Sequence, residues 1–340
     1  TNVNDWSAYD ASRIAIWKKY ADSVWKYYPT TYMILEHFAV QQEDKELADY
    51  GFLMWGNMNS QYNQNTMGYS SNADISAVVY NHGSRQFAQP NLIGYMESHD
   101  EERLMYKNVT YGNSSGSYNV KDIPTGLKRI EAAAALLFTV PGPKMIYQMG
   151  ELGYDLSINT CTDGSLPSTA ECRTARKPFR WNYYQDANRK QLYDVIGKII
   201  GLRRSLAATF NSSNFTYNFS SLVKSFQITD PSRSVTVIAN FDVTAQNITV
   251  TFQNSGTWTD YLTNATINAT GAAQTISLQP GEYHIYLNNP PCTTPTPTAN
   301  TSISYCQNAT AAQLTATGNN LLWYTTSSGG TGSTTAPTPV

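Results

Sequence analysis

The feature that most constrains this chain is an alternation. Between residues 7 and 206, short apolar runs ending on charged or polar side chains are separated by helix-like segments. The runs are Tyr32–Leu35, which ends on Glu36-His37; Gly51–Asn57; Asn91–Met96, which ends on Glu97-Ser98-His99-Asp100; and Lys144–Tyr147, introduced by Pro141-Gly142-Pro143. Uniformly apolar runs of this length fit strands buried on both faces of a parallel sheet. Residues 7–28 read as a helix, with Ile14, Trp17, Ala21, Val24 and Tyr28 on one stripe and Pro29 as the stop. A short polar helix precedes Gly51, a helix is expected within 60–80, and 127–140 and 186–206 form two more. The Gly/Ser/Asn-rich stretch 107–125 reads as a loop. Strands alternating with helices build a parallel sheet, either a (β/α)8 barrel or a doubly wound sheet. In both, ligands meet the C-terminal ends of the strands, where Glu36, His99, Asp100 and Glu151 fall. Four strands do not close a barrel, which needs eight.

Near residue 215 the period changes to two. Ser234–Phe241, Asn247–Phe252 and Glu282–Leu287 alternate, broken by Gly, Asn and Pro, and read as an antiparallel β-sandwich. The expected organisation is an α/β domain over 1–210, a β-sandwich over 211–289, a Pro/Thr linker over 290–301 and a small β-module or tail over 302–340.

Composition narrows the function classes. The net charge of -2, with 14% charged residues and no basic stripe, argues against a nucleic-acid partner. No apolar run reaches the ~18 residues of a membrane span. The chain carries 24 Tyr and 7 Trp, and many Asn, Ser and Thr. Aromatic faces and amides suit neutral, hydroxyl-rich ligands such as sugars, although the same residues are also good strand formers. Cys161 with Cys172, and Cys292 with Cys306, each bracket a loop-like stretch without zinc-site spacing. Two disulfides, and so an oxidising compartment, are one reading; four free thiols are the other.

Glycoside cleavage in most families uses two carboxyl groups flanking the bond. Glu36 and Asp100 close two of the expected parallel strands, so the fold would bring both to one face. Here the sequence resembles a known family. Asn91–Arg103, an apolar strand ending in His99-Asp100 with Arg103 three residues on, resembles the seventh-strand motif of the α-amylase family, glycoside hydrolase family 13. Met33–Phe38 is similar to its fifth-strand motif, and Pro141–Glu151 to its eighth. The resemblance covers about residues 1–288. It implies the second half of a (β/α)8 TIM barrel, strands five to eight, followed by the family's C-terminal β-domain.

The resemblance also implies roles. Glu36 would be the general acid/base, Asp100 would hold the ring hydroxyls of the distorted sugar, and His99 would donate to the same sugar. His37, Arg103, Trp55 and Glu151 would be substrate-binding residues at the rim, or supports behind it. The family's first-strand motif and its Gly-x-Arg-x-Asp motif, which carries the covalent nucleophile, do not occur here. The chain is therefore expected to start just after the fourth strand, with two open sheet edges to be covered by the complementary half-barrel or by a second copy. The family's calcium sites depend largely on that other half, so no cofactor or metal is expected from these residues. The expected partner is an α-glucan; a branching or transglycosylating enzyme and a non-catalytic glycan-binding protein are the alternatives. Ser304–Ala309 and Leu321–Ser333 are similar to immunoglobulin-like repeats of large secreted bacterial surface proteins, which implies a secreted or cell-surface location.

Overall fold

In the computed structural model, which describes residues 5, 7–288, 298–299, 302–326 and 330–339, the first half of the chain forms a short parallel sheet. Strand β1 (Ile34–Leu35) pairs with β2 (Leu53–Asn57), and β2 with β3 (Leu92–Tyr95), with Ile34 opposite Leu53 and Met54 opposite Leu92. The run 144–147, expected as a fourth strand, is reduced to a single parallel bridge between Gly94 and Lys144. Pro141 and Pro143 have no N–H to donate to a ladder. What pairing there is comes from Gly94 N to Pro143 O at 3.1 Å and Met145 N to Gly94 O at 3.2 Å.

Helices cover one side of this sheet. They are α1 (Ala11–Trp25), capped by the Asp10 carboxylate, and α2 (Gln41–Tyr50), which share one core with Leu35, Met54 and Leu92, while α3 (Asn59–Met67) follows β2. The helix expected within 60–80 stops at Met67. Gly68 follows at φ +88°, where a Cβ would also meet Val243 Cγ1 at 2.7 Å, so only glycine ends this helix without strain. The loop expected over 107–125 is corrected to a helix, α4 (Leu104–Tyr111), and a small hairpin of β4 (Ser114–Ser115) and β5 (Tyr118–Asn119). Leu104 and Met105 are buried beside α5 (Ile123–Thr139), and that packing decides the conformation up to Tyr111. The small and polar residues serve only the hairpin turn. In α5, Ala132–Ala135 are completely buried, and small side chains there allow close approach of α6 (Ala187–Ser205), which is followed by the short α7 (Ala207–Phe210).

The β-domain is an unequal sandwich. Its strands are β6 (Phe215–Asn218), β7 (Val223–Ile228), β8 (Val235–Asn240), β9 (Gln246–Thr251), β10 (Gly256–Asp260), β11 (Thr266–Ala269), β12 (Ala273–Leu278) and β13 (Tyr283–Asn288). Six form one antiparallel sheet in the order β11-β10-β13-β8-β7-β6, and β12 pairs with β9 in a second sheet of two. Between the sheets lie Ile238, Ile248, Val250, Trp258 and Leu278. The opposite face of the large sheet presents Phe226, Val235, Val237 and Ile285, which share one core with Leu127, Ile130 and Phe138 of α5. Central strand β8 is thus covered on both faces, and all six of its residues are buried. Each large apolar side chain so buried contributes about 1.5–3 kcal/mol.

Buried Arg129 ties α5 to two neighbours. Its guanidinium donates to Thr66 O and, at 2.7 Å, to Asn65 O at the end of α3, and to Phe241 O just past β8. Residues Thr1–Asn289 form one compact unit. The second unit, Pro290–Val340, contains the pair β14 (Thr298–Ala299) with β15 (Ala316–Thr317) and a bridge between Trp323 and Ser333. Among the described residues, no helix is long and apolar enough to cross a membrane. Cys161 and Cys172 form a disulfide. The other expected pair involves Cys292, which lies outside the described residues; Cys306 is exposed and has no disulfide partner among them.

His284 on β13 is held between two carboxylates, with Nδ1 2.9 Å from Asp260 Oδ2 and Nε2 2.9 Å from Glu282 Oε1. Burial opposes the imidazolium, but the hydrogen bonds and charges of Asp260 and Glu282 outweigh it and raise its pKa above the ordinary value. The folded state therefore holds this proton more tightly than the unfolded chain. The contribution is complete below the ordinary histidine value of 6.5 and is lost as pH rises through the higher folded value. His284→Gln should cost the chain more stability at about pH 5.5 than at about pH 9. Urea midpoints at the two pH values test this; an equal loss at both would contradict it.

Candidate active site at the strand ends

Glu36 follows β1 directly, and His99 and Asp100 lie four and five residues beyond β3. Because both strands run in the same direction, their C-terminal ends face one side of the molecule. There the structure brings Glu36, His99 and Asp100 together. All three are exposed, and one ligand atom from each lies within 4.8 Å of the others. His99 Nε2 is 4.0 Å from Asp100 Oδ2. Trp55, inside β2, stands edge-on to the His99 ring at 6.2 Å and to the Tyr95 ring at 5.3 Å. Burial pushes the Tyr95 phenol up, and the nearby charges of Glu101, Glu36 and Asp100 push it further.

This is the one cluster of three metal-ligating side chains among the described residues. Calcium takes six to eight oxygen ligands. An imidazole and two exposed carboxylates do not make such a cage, so the residues present do not fit a calcium ion.

Two expected binding residues turn out to be internal. His37 is turned away from the cluster into α2, its Nδ1 2.8 Å from Asp44 Oδ1 and its Nε2 3.1 Å from Glu43 Oε2. Glu43 is fully buried; burial disfavours its charge, but Arg13, the Asp10 N–H and His37 hold it below the usual carboxylate range. His37 thus pins the segment that displays Glu36. Arg103 is buried as well. It donates to Glu97 Oε2 at 2.9 Å and to Gln148 O at 2.8 Å, with its guanidinium over the Tyr147 and Tyr154 rings. Glu151 sits in a short 3-10 turn, Gly150–Leu152, where it lines a small cavity with Met96, Leu104 and Ile196 and not the cluster.

The turn carrying His99 and Asp100 is fixed from below by Glu97. Its second oxygen accepts the Leu104 N–H at 2.7 Å, at the start of α4. A Cβ on Gly150 would come within 2.5 Å of Glu97 Oε2, so the carboxylate reaches this place only beside glycine. Asn59 braces the turn from the side, donating to Met96 O at 2.8 Å and Glu102 O at 2.9 Å. Asn57, at the end of β2, and Ser98 both donate to Glu101. Sequence reasoning missed Asn57, Ser98 and Glu101. The signal for Asn57 was present, since it is the polar residue that ends an apolar strand. It also missed Arg173, which donates to the Asp100 carbonyl and lies 3.4 Å from Asp100 Oδ1.

Below the cluster, the inner face of the sheet is open. Ile34, Leu53, Trp55, Ile93, Lys144 and Met145 line a broad apolar groove along it.

No protein-family model and no curated protein sequence matches the chain. Solved structures do match its fold. The α-amylase of Geobacillus thermoleovorans, complexed with acarbose, superposes with a TM-score of 0.61 at 15% identity, over 82% of this chain and 57% of that one. The α-amylase of H. orenii gives 0.58 at 16% identity, over 82% and 57%. The pullulanase of Bacillus acidopullulyticus gives 0.55 at 16% identity, over 81% and 36%. The chain thus spans little more than half the length of these α-amylases, and the fold it shares with them is part of a βα barrel followed by an antiparallel β-domain.

Removing Arg103 would leave the buried Glu97 carboxyl without its ion-pair partner. Arg103→Leu should therefore lower stability by about 3–5 kcal/mol. A urea titration in which the variant unfolds like the parent would contradict this.

Proposed function

We propose that the chain is part of an α-glucan glycoside hydrolase that works by retaining double displacement. The observation that carries this reading is the convergence of Glu36, His99 and Asp100 at the C-terminal ends of parallel strands, in a fold shared with α-amylases. Glu36 is the general acid/base: it protonates the leaving glycosidic oxygen, then takes a proton from the water that resolves the intermediate. Asp100 accepts hydrogen bonds from ring hydroxyls that strengthen as the sugar flattens towards the oxocarbenium-like transition state. His99 donates to the same sugar, and Trp55 offers an apolar wall beside it. The neighbours crystallised with acarbose, maltose and maltotriose support an oligosaccharide ligand.

The nucleophile is not among these residues. In this reading it comes from βα units that complete the barrel, and the open groove over β1–β3 is where they pack. The Cys161–Cys172 disulfide supports an extracytoplasmic location, secreted or at the cell surface, and the second unit would be an accessory immunoglobulin-like module. A branching or transglycosylating enzyme would use the same residues and differs in its acceptor; the products separate the two.

The test is reducing-sugar release from soluble starch by this chain and by the same chain extended about 200 residues upstream, enough to complete a barrel. Activity is expected only in the extended form. Glu36→Gln there should lower kcat by at least about 100-fold while substrate binding persists. Undiminished turnover in that variant would remove Glu36 from its role, and failure of the extended form to bind or cleave any α-glucan would overturn the reading.

A further inference from the structure

The loop between the short 3-10 turn at Gly150–Leu152 and α6 leans back on the catalytic turn at two points. Glu102 accepts hydrogen bonds from Ser157 Oγ at 2.6 Å and Ile158 N at 3.0 Å. Further along, Arg173 reaches across 73 positions of sequence to Asp100. One nitrogen, Nη2, serves both the Asp100 carbonyl and, at 3.4 Å, its carboxylate Oδ1. Arg173 is half-exposed, and an isolated arginine on such a loop would sample many rotamers and contribute little. This one is not isolated. It directly follows Cys172, whose disulfide to Cys161 closes the loop. Lys177 then clamps the closed end, donating to Thr160 O at 3.0 Å, Cys172 O at 2.6 Å and Arg173 O at 3.1 Å. The cross-link and the lysine fix the backbone from which the guanidinium extends, so less freedom is lost when it meets Asp100.

We propose that Arg173 is a positioning residue for Asp100, and that the Cys161–Cys172 disulfide sets α-glucan affinity by holding Arg173 in place. The inference rests on the sugar-binding role assigned to Asp100. An unrestrained, exposed aspartate can turn towards solvent. With Oδ1 beside the guanidinium, the carboxylate is held by one oxygen and leaves the other for the sugar hydroxyls. Opening the disulfide by thiol exchange with an external dithiol frees the loop and with it Arg173. The two sulfurs take up two electrons and two protons, and the dithiol is oxidised in turn.

The test uses the full-length protein carrying Glu36→Gln, which blocks turnover, and measures the Kd of maltoheptaose by calorimetry. Arg173→Ala should weaken binding about threefold to fivefold, the size expected for an exposed charged pair, and Arg173→Lys should fall between. Cys161→Ser/Cys172→Ser should match Arg173→Ala without adding to it. In an Asp100→Asn background, Arg173→Ala should have no further effect; a general structural role would remain additive there. If the parent binds maltoheptaose but Arg173→Ala binds equally well, or if its effect persists undiminished with Asp100→Asn, the inference is overturned and the proposed function stands. If the parent does not bind at all, the assignment of Asp100 fails and this inference falls with it.

Discussion

The contact on which this site depends is the buried ion pair between Glu97 and Arg103. It joins two residues six positions apart just past β3, and the exposed His99 and Asp100 stand on the loop between them. Two charges removed from water are held there by partners on both sides of the pair, although the buried Arg103 Nε has no hydrogen-bond partner of its own among the described residues. The Leu104 N–H and the missing side chain of Gly150 make room on the carboxylate side. The Gln148 carbonyl and two tyrosine rings do so on the guanidinium side. The pair also joins β3 to the segment after Lys144, which has only one bridge to the sheet. The buried charge thus replaces part of a strand's hydrogen-bond ladder. A second pair, Arg13 with Glu43, does the equivalent work behind Glu36 through His37. In both cases a buried salt bridge gives rigidity to an exposed functional turn.

The same architecture explains why Glu36, His99 and Asp100 are so exposed. In a closed barrel the residues above the strand ends are surrounded by eight loops. Here a three-stranded sheet presents its ends and its inner face together. Ile34 is half-exposed although it lies on β1, and Trp55 is covered only in part. Apolar side chains on a parallel sheet are not usually left in this way. The solvated cluster and the apolar groove beneath it belong to one sheet in which, among the described residues, no strand pairs with the outer edge of β1.

Much of this was legible in the sequence, and for physical reasons. Strands buried on both faces must be apolar throughout, so 34–35, 53–57 and 92–95 stand out, and a residue type that ends such a run must lie at the sheet's end. That placed Glu36 and Asp100 on one side without coordinates. Period-two alternation marked the β-domain equally well. What failed was local composition set against tertiary packing. Residues 104–111 are helical because Leu104 and Met105 fill the space beside α5, not because of their propensity. The 144–147 run has the composition of a strand, but too few donors before it to form one. Side-chain direction was also hidden. His37 and Arg103 lie in the motifs and are polar, yet both point inwards, since a polar residue beside a strand end can face either the ligand or the partner that holds the turn. Arg173 had no signal at all beyond its place next to Cys172.

The central claim is that Glu36, His99 and Asp100 act on one sugar. The most direct measurement is a crystal structure of the full-length protein bearing Glu36→Gln, with maltoheptaose bound. The account predicts a glucose ring hydrogen-bonded to both His99 and Asp100, with its glycosidic oxygen about 3 Å from the side-chain amide introduced by the substitution. A glucan bound elsewhere, with the three side chains facing only water, would contradict it.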